Sequence, residues 1–360
     1  MSDHHEYLRR CLQLARLGAG RVAPNPMVGA VLVHQERIIG EGYHQIYGGP
    51  HAEVNCLGCV SQHDLELVPS STLYVSLEPC AHHGKTPPCA DLVIEKKISK
   101  VVIGSRDPFF AVNGKGIEKL QKAGIEVIQG VLESECIQLN QRFFTFHERK
   151  RPMVILKWAQ TADGFMGNED HSRLMISGPQ ANRLVHKWRS EESAILVGTH
   201  TALYDDPSLT TRLWPGDNPV RLVIDKDLRL PAGLKLFDKK NTTIVFNQHR
   251  HDLPGDTARG YKNHRGVYYY QLGRNASLVQ EVLDGCYQLG LQSVLVEGGA
   301  QTLRGFIDEG AWDEIRLIIN NRMITQQGVA APGLPPRAWL KHQMMTGDDQ
   351  LSIYENREKF

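Results

Sequence analysis

LEPCAHHGKTPPCA, residues 77–90, packs two cysteines, two histidines and a lysine into one short run. Cys80 and Cys89 have eight residues between them, too wide for the Cys-x-x-Cys of a small zinc or redox motif. Upstream, STLYVSLEP reads as a strand ending in a turn at Pro79. Downstream, Pro87–Lys97 reads as a helix, since proline is tolerated in a first turn. Earlier still, His51-Ala52-Glu53 opens another short helix candidate over Ala52–Val60. One imidazole and two thiols therefore lie at a strand end and two helix starts. This strand–helix alternation is the pattern of an α/β layered domain.

His51, Cys80 and Cys89 make a three-ligand zinc shell with a fourth position left for water, as catalytic zinc requires. Zinc brings the pKa of such a water toward neutrality. Glu53, two residues past the histidine, has the place of a catalytic acid/base that carries protons and is not a ligand. H-x-E followed by P-C and a second cysteine is the signature of zinc-dependent deaminases, here with P-C-x8-C in place of P-C-x-x-C. Cys11, Cys56, Cys59, Cys136 and Cys286 read as buried small apolar residues. Cys56 and Cys59 form a C-x-x-C on the same helix, without matching ligands elsewhere.

Working outward, Glu6–Leu17 has the spacing of an amphipathic helix, and Met27–His34 followed by IIGEGY reads as a strand and its hairpin partner. KVVIGS, Gly116–Ala123 and IEVIQG continue the alternation, and Val131–Phe146 reads as one helix. HERKRP then marks a boundary, giving domains 1–147 and 148–360. A second α/β series follows: strands MVILKWAQ, SAILVG, PVRLVID, TTIVFN, SVLVEGG and EIRLIIN, with helices Pro179–Ser190, Leu278–Leu289 and Gln301–Glu309. Residues past about 328 carry little pattern. The 360-residue length suits two domains. The net charge of +1 argues against a general nucleic-acid binder. No apolar run spans a bilayer and the N-terminus is too charged for a signal peptide, so the expectation is a cytoplasmic protein.

PNPMVGAV (24–31), GEGYH (40–44), PHAEV (50–54), LEPCAHHGKTPPCADL (77–92) and RDP…NGKG (106–116) resemble the deaminase half of the bifunctional riboflavin-biosynthesis deaminase/reductase family. The resemblance implies a cytidine-deaminase-like α/β/α layered domain, zinc on His51, Cys80 and Cys89, and Glu53 as acid/base. It also implies a phosphoribosylaminopyrimidine substrate, with Asn25, His44, Ala52, His82 and Lys85 around it. Lys85, beside Gly84, suits a phosphate as a point charge. The family's DPNP reads Asp107-Pro108-Phe109-Phe110 here, and Asn113 is a candidate replacement for its asparagine.

The second half has no G-x-G-x-x-G after its first strand. It has LVEGGAQTL (295–303), a buried strand, two glycines and a helix start, which suits a pyrophosphate at a helix N-terminus. KWAQTADG (157–164), ILVGTHTALYDDPSLTTR (195–212), VRLVID (220–225) and VEGG (296–299) resemble the reductase half of the same family, whose fold is similar to dihydrofolate reductase. That resemblance implies NADPH held by Ala159, Thr201, Asp205 and the turn Gly298, Gly299, Ala300, Gln301 and Thr302. It places Ser172, Arg189, Leu209, Arg212 and Glu297 toward the substrate. Arg189 and Arg212 suit a phosphate, which guanidinium binds bidentately, though Arg189 also suits a helix-end cap. The family's S-x-W-I-T/S reads HSRLMIS (171–177), without the tryptophan, with Met175 near its place.

The resulting expectation is a zinc hydrolase fused to an NADPH-dependent oxidoreductase, deaminating 2,5-diamino-6-(5-phosphoribosylamino)pyrimidin-4-one and then reducing the ribosyl chain of the uracil product. Its partners are small molecules, not nucleic acid or membrane, and a homo-oligomer (dimer or tetramer) is expected. Three alternatives stay open: a deaminase with an inactive reductase half, a tRNA deaminase with an unrelated second domain, and a binding protein with structural zinc.

Overall fold

The computed structural model describes residues 4–81, 87–170, 172–254, 261 and 264–357. It divides into two compact units, Met1–Lys150 and Arg151–Phe360. The division lies three residues past the expected 147/148, because the last helix of the first unit runs through Arg149.

The first unit comprises, in chain order, α1 (His4–Ala15), β1 (Gly29–His34), β2 (Arg37–Tyr43), α2 (Ala52–Gly58), β3 (Thr72–Leu77), α3 (Cys89–Glu95), β4 (Lys100–Ser105), α4 (Lys115–Lys122), β5 (Glu126–Gln129), α5 (Glu133–Leu139) and α6 (Gln141–Arg149). Its sheet runs β2-β1-β3-β4-β5. The β2/β1 and β1/β3 pairs are antiparallel, whereas β3/β4 and β4/β5 are parallel. Val31, Val33, Tyr74 and Val102 face Leu8, Cys11 and Leu12 of α1 and Cys136 of α5. The opposite face carries Ala30, Leu32, Leu73 and Val101 against α2, α3 and α4. The alternation of strand residues between two apolar layers makes the expected α/β/α sandwich. The single helix expected over 131–146 is two helices. Asn140 interrupts it, since its side chain accepts from Met27 N and donates to Met27 O, both at 2.8 Å.

The second unit comprises β6 (Met153–Thr161), β7 (Phe165–Gly167), α7 (Pro179–Glu191), β8 (Ala194–Val197), α8 (Thr199–Asp205), β9 (Val220–Ile224), β10 (Thr242–Asn247), β11 (Gly266–Gln271), α9 (Leu278–Gln288), β12 (Ser293–Val296), α10 (Ala300–Asp308), β13 (Glu314–Asn320), β14 (Val329–Ala330), β15 (Ala338–Thr346) and β16 (Asp349–Asn356). The main sheet runs β11-β10-β9-β8-β12-β6-β13-β16-β15. It is parallel from β11 to β13, and the β16–β15 hairpin adds two antiparallel strands. Its central strands read as continuous apolar runs because both faces are covered, one by α9 and α10 and the other by α7 and α8. After β8 the chain moves to β9 on one side. After β12 it moves past β6 to β13 on the other. Adjacent strands whose connections diverge open a crevice at their carboxyl ends, where ligands of parallel α/β sheets bind.

Candidate active sites

Two glycines set the position of the first site. A Cβ on Gly40 would meet Cys56 O at 2.6 Å, and one on Gly42 would meet Cys56 N at 2.2 Å. Only bare backbone lets α2 lie this close to β2, and His51 is the N-cap residue of α2. Cys80 follows the end of β3 and Cys89 is the first residue of α3. The three side chains converge: Sγ of Cys80 and of Cys89 lie 3.6 and 3.3 Å from His51 Nδ1. All three ligand atoms lie within 4.8 Å of one another. Tetrahedral zinc, with bonds of about 2.3 Å to sulfur and 2.0 Å to nitrogen, would hold such N and S atoms about 3.5 Å apart, so the donor set fits the metal. Cys89 N–H also donates to Cys80 Sγ at 3.3 Å. The Cys89 thiol beside it holds Cys80 down at about 4, and Cys89 itself is raised. A divalent cation supplies the positive charge that lets both thiols ionise.

Glu53 is buried on the first turn of α2. Burial first, and then the negative field of Cys80, push its carboxyl up to about 7, where it can both take and give a proton. His44 is buried with its ring 5.4 Å from that of His51. Its Nδ1 lies 2.9 Å from Pro50 O, a pure acceptor, so Nδ1 carries the proton. Nε2 then accepts from Asn25 Nδ2 at 3.1 Å, which orients the Asn25 amide. The methyl of Ala52 is wholly buried in the core beneath α2. His82 and Lys85 lie outside the described residues.

Glu78, not singled out from the sequence, ties this site to its neighbours. It is buried, and four backbone amides donate to it. Oε1 accepts from Gly116 (2.9 Å) and Ile117 (3.3 Å), and Oε2 from Gly114 (2.9 Å) and Asp107 (3.2 Å). A Cβ on Gly116 would meet Pro79 O at 2.0 Å. The RDP…NGKG segment is therefore the brace of the Pro79-Cys80 turn. Phe109 packs against His147 and the Phe143–Phe144 cluster, whereas Phe110 and Asn113 are exposed.

The second unit carries a cavity of about 1130 Å³ at the diverging ends of β8 and β12. Ala159, Thr201, Asp205 and Gly298 to Thr302 line it, as do Ser172, Arg189, Leu209, Arg212 and Glu297. The glycines serve packing as well as ligand approach. A Cβ on Gly298 would meet Thr302 Cβ at 2.8 Å, and one on Gly299 would meet Thr201 Oγ1 at 3.0 Å. They let the starts of α8 and α10 lie side by side, with the α10 amide terminus at the crevice. This cradle fits a dinucleotide's pyrophosphate.

Glu297 follows β12 and is held bidentately by Arg189, Nε–Oε1 and Nη2–Oε2 both at 2.9 Å, with Lys157 Nζ 3.5 Å away. Burial alone would raise its carboxyl, but Arg189 and Lys157 outweigh burial and hold it at about 2. Arg189 Nη1 donates to Thr210 O at 3.3 Å. The guanidinium expected to grip phosphate is thus spent on Glu297, and it does not cap its helix. Arg212 uses Nη1 on Thr210 Oγ1 at 2.9 Å. Arg173, Arg189, Arg212 and Lys235 border an annex of about 220 Å³. Met175, in place of the family's tryptophan, lines the cavity and is 59% exposed. Lys157 had a signal in sequence, a lysine inside an apolar strand. Arg173, Lys235 and Glu78 had none, because only the folded chain brings them to their partners.

An α/β/α layer holding a His-Cys-Cys cluster beside a buried glutamate, joined to a parallel α/β unit with a dinucleotide-sized crevice, defines a zinc hydrolase fused to a reductase. Residues 1–105 match the cytidine and deoxycytidylate deaminase zinc-binding region, and residues 152–344 match the RibD C-terminal domain. The chain is 40% identical over 316 residues to the riboflavin biosynthesis protein RibD of Aquifex aeolicus, covering 87% of this chain and 85% of that protein. It is 36% identical over 333 residues to RibD of Actinobacillus pleuropneumoniae, covering 91% and 86%. The crystal structure of the Thermotoga maritima diaminohydroxyphosphoribosylaminopyrimidine deaminase/5-amino-6-(5-phosphoribosylamino)uracil reductase superposes with a TM-score of 0.86 at 36% identity, over 98% of both chains. Acinetobacter baumannii RibD gives 0.86 at 29% identity, over 99% of both. The chain belongs to the RibD family of riboflavin-biosynthesis enzymes. It is a bifunctional deaminase/reductase that uses zinc in its first unit and NADPH in its second.

Proposed function

We propose that the first unit deaminates 2,5-diamino-6-(5-phosphoribosylamino)pyrimidin-4-one and that the second reduces the ribosyl chain of the resulting 5-amino-6-(5-phosphoribosylamino)uracil. The carrying observation is the convergence of His51, Cys80 and Cys89 beside buried Glu53. Zinc on these ligands supplies the Lewis acidity that makes water a nucleophile near neutral pH. Glu53 moves the protons: it accepts one as water attacks the ring carbon and returns one to the departing amine, so water and amine become carbonyl and ammonia. Asn25, fixed by His44, presents its amide to the pyrimidine.

In the second unit NADPH supplies the hydride, and the chain supplies position and charge. Thr201, Asp205, Ala159 and the Gly298–Thr302 turn hold the cofactor. Ser172, Leu209, Arg212 and the Arg189–Glu297 pair face the ribosyl phosphate. The protein acts on small molecules and is expected to be a cytoplasmic homo-oligomer. Among the described residues no helix is long and apolar enough to cross a membrane.

Purified zinc-replete protein should release ammonia from the diaminopyrimidine without NADPH, and oxidise NADPH only once that product exists. A zinc chelator should stop ammonia release yet spare NADPH oxidation on supplied uracil intermediate. Absence of ammonia would remove the deaminase assignment; ammonia without NADPH oxidation would remove the reductase assignment. Turnover on tRNA would favour the nucleic-acid reading instead.

A further inference from the structure

His186 lies on α7, three residues before Arg189, and lines the cavity of the second unit. It is only 6% exposed. Its Nδ1 stands 2.8 Å from the backbone nitrogen of Arg212. A backbone amide can only donate, so Nδ1 accepts, and a neutral ring must carry its proton on Nε2. The charged groups that act on the ring are Arg189, Arg212 and Lys157, which oppose a positive charge, and Glu297, which favours one. Burial and the two guanidiniums prevail and hold the imidazole down at about 4, so it is neutral under working conditions. Among the described residues Nε2 has no hydrogen-bond partner, and it is not among the sealed, unpartnered atoms either. It is a donor of fixed tautomer on a nearly buried ring that lines the cavity.

We propose that His186 is a substrate-binding residue of the reductase whose Nε2–H donates to an oxygen of the ribosyl phosphate arm. The inference rests on reading this cavity as the reductase site. The choice of arm follows from the surroundings. His186 holds the amide of Arg212, which borders the cationic annex with Arg173, Arg189 and Lys235. An anionic, oxygen-rich chain is the chemical class that fits there. A neutral imidazole adds a directed hydrogen bond to it without adding to the crowd of positive charge.

Two variants separate binding from scaffolding. In His186→Asn the side-chain oxygen can replace Nδ1 and keep Arg212 in place, but nothing replaces the Nε2 donor. In His186→Gln the amide nitrogen can replace that donor. For the full-length enzyme, His186→Asn should bind NADPH as wild type by equilibrium titration. Its KM for 5-amino-6-(5-phosphoribosylamino)uracil should rise about tenfold, as loss of one hydrogen bond to a charged or polar oxygen implies. His186→Gln should recover most of that loss. Nitrogen-15 NMR of the imidazole should show a protonated Nε2 and bare Nδ1 unchanged between about pH 6 and pH 8. The Nε2–H signal should shift on adding the uracil substrate. A wild-type KM in His186→Asn, or an Nε2–H signal blind to saturating substrate, would overturn the proposal alone. A wild-type enzyme that cannot oxidise NADPH on this substrate would overturn the reading of the cavity, and the proposal with it.

Discussion

Replacing Glu78 by glutamine changes one atom in a buried brace, and the structure sets the cost. The carboxylate accepts from four backbone amides, two on each oxygen. A glutamine oxygen can serve only one of those pairs. Its NH2 group must face the other, and turning the amide over does not help, because each pair contains one bond of 2.9 Å and one longer bond. Two buried N–H groups are therefore left unsatisfied, at about 1–3 kcal/mol each, or roughly 2–6 kcal/mol in all. For a unit of this size 1 kcal/mol is about 2–4 °C, so the deaminase unit should melt roughly 5–20 °C lower. Hydrogen–deuterium exchange read by mass spectrometry localises the effect. Amides of Gly114, Gly116 and Ile117 should lose protection, and zinc should be held less tightly because Pro79-Cys80 loses its brace. Exchange in residues 106–117 and a melting midpoint both equal to wild type would refute the reasoning.

Glu53→Gln should keep zinc, measured by metal analysis, and lose roughly 10²–10⁴-fold in ammonia release; loss of zinc instead would make Glu53 a ligand or a support. Glu297 titrates at about 2 in the folded chain, below the ordinary value of about 4.3, so its stabilisation is complete above the ordinary value and drains away as pH falls toward 2. The stability gap between wild type and Glu297→Gln, from urea midpoints, should therefore be widest near neutrality and narrow on acidification, and a gap independent of pH would contradict the assignment.

The metal site was legible because its chemistry lies in side chains of distinctive type. A histidine, a glutamate two residues on and two cysteines near prolines stand out at any fold position. The α/β alternation was legible for strands buried on both faces, whose apolar runs are unambiguous. The β15–β16 hairpin was not, because β15 is exposed over most of its length and reads as WLKHQMM, without a two-residue alternation. The α8 helix was hidden in THTALYD, whose threonines and short length give no helical stripe. The break at Asn140 depends on Met27, far away in sequence, so no local pattern announces it. Glu78 was read as spelling within a motif, yet its role needs the loop that folds back from residues 107–117.

The arginines of the reductase cavity show where residue type alone misleads. Arg189 and Arg212 carry the same guanidinium and invite the same phosphate role. In the fold, Arg189 has Nε and Nη2 on Glu297 and Nη1 on Thr210 O, so its fork is consumed in keeping one carboxylate ionised and aimed. Among the described residues Arg212 has no carboxylate partner. Burial, then Arg189 and Arg173, lower its pKa, which is the mark of cations held together against their repulsion. A phosphate brought between Arg173, Arg212 and Lys235 would relieve that repulsion as well as accept hydrogen bonds, so the annex favours a dianion more than a count of donors suggests. Lys235 is partly engaged with Asp206, which tempers the field and leaves Arg212 and Arg173 as the principal anion partners. The cavity thus holds the Glu297 carboxylate gripped by Arg189 and Lys157, the cationic annex bordered by Arg212, and the neutral His186 ring in its lining. On the function proposed above, a ribosyl phosphate would place its phosphate in the annex and its reacting carbon toward the crevice between β8 and β12.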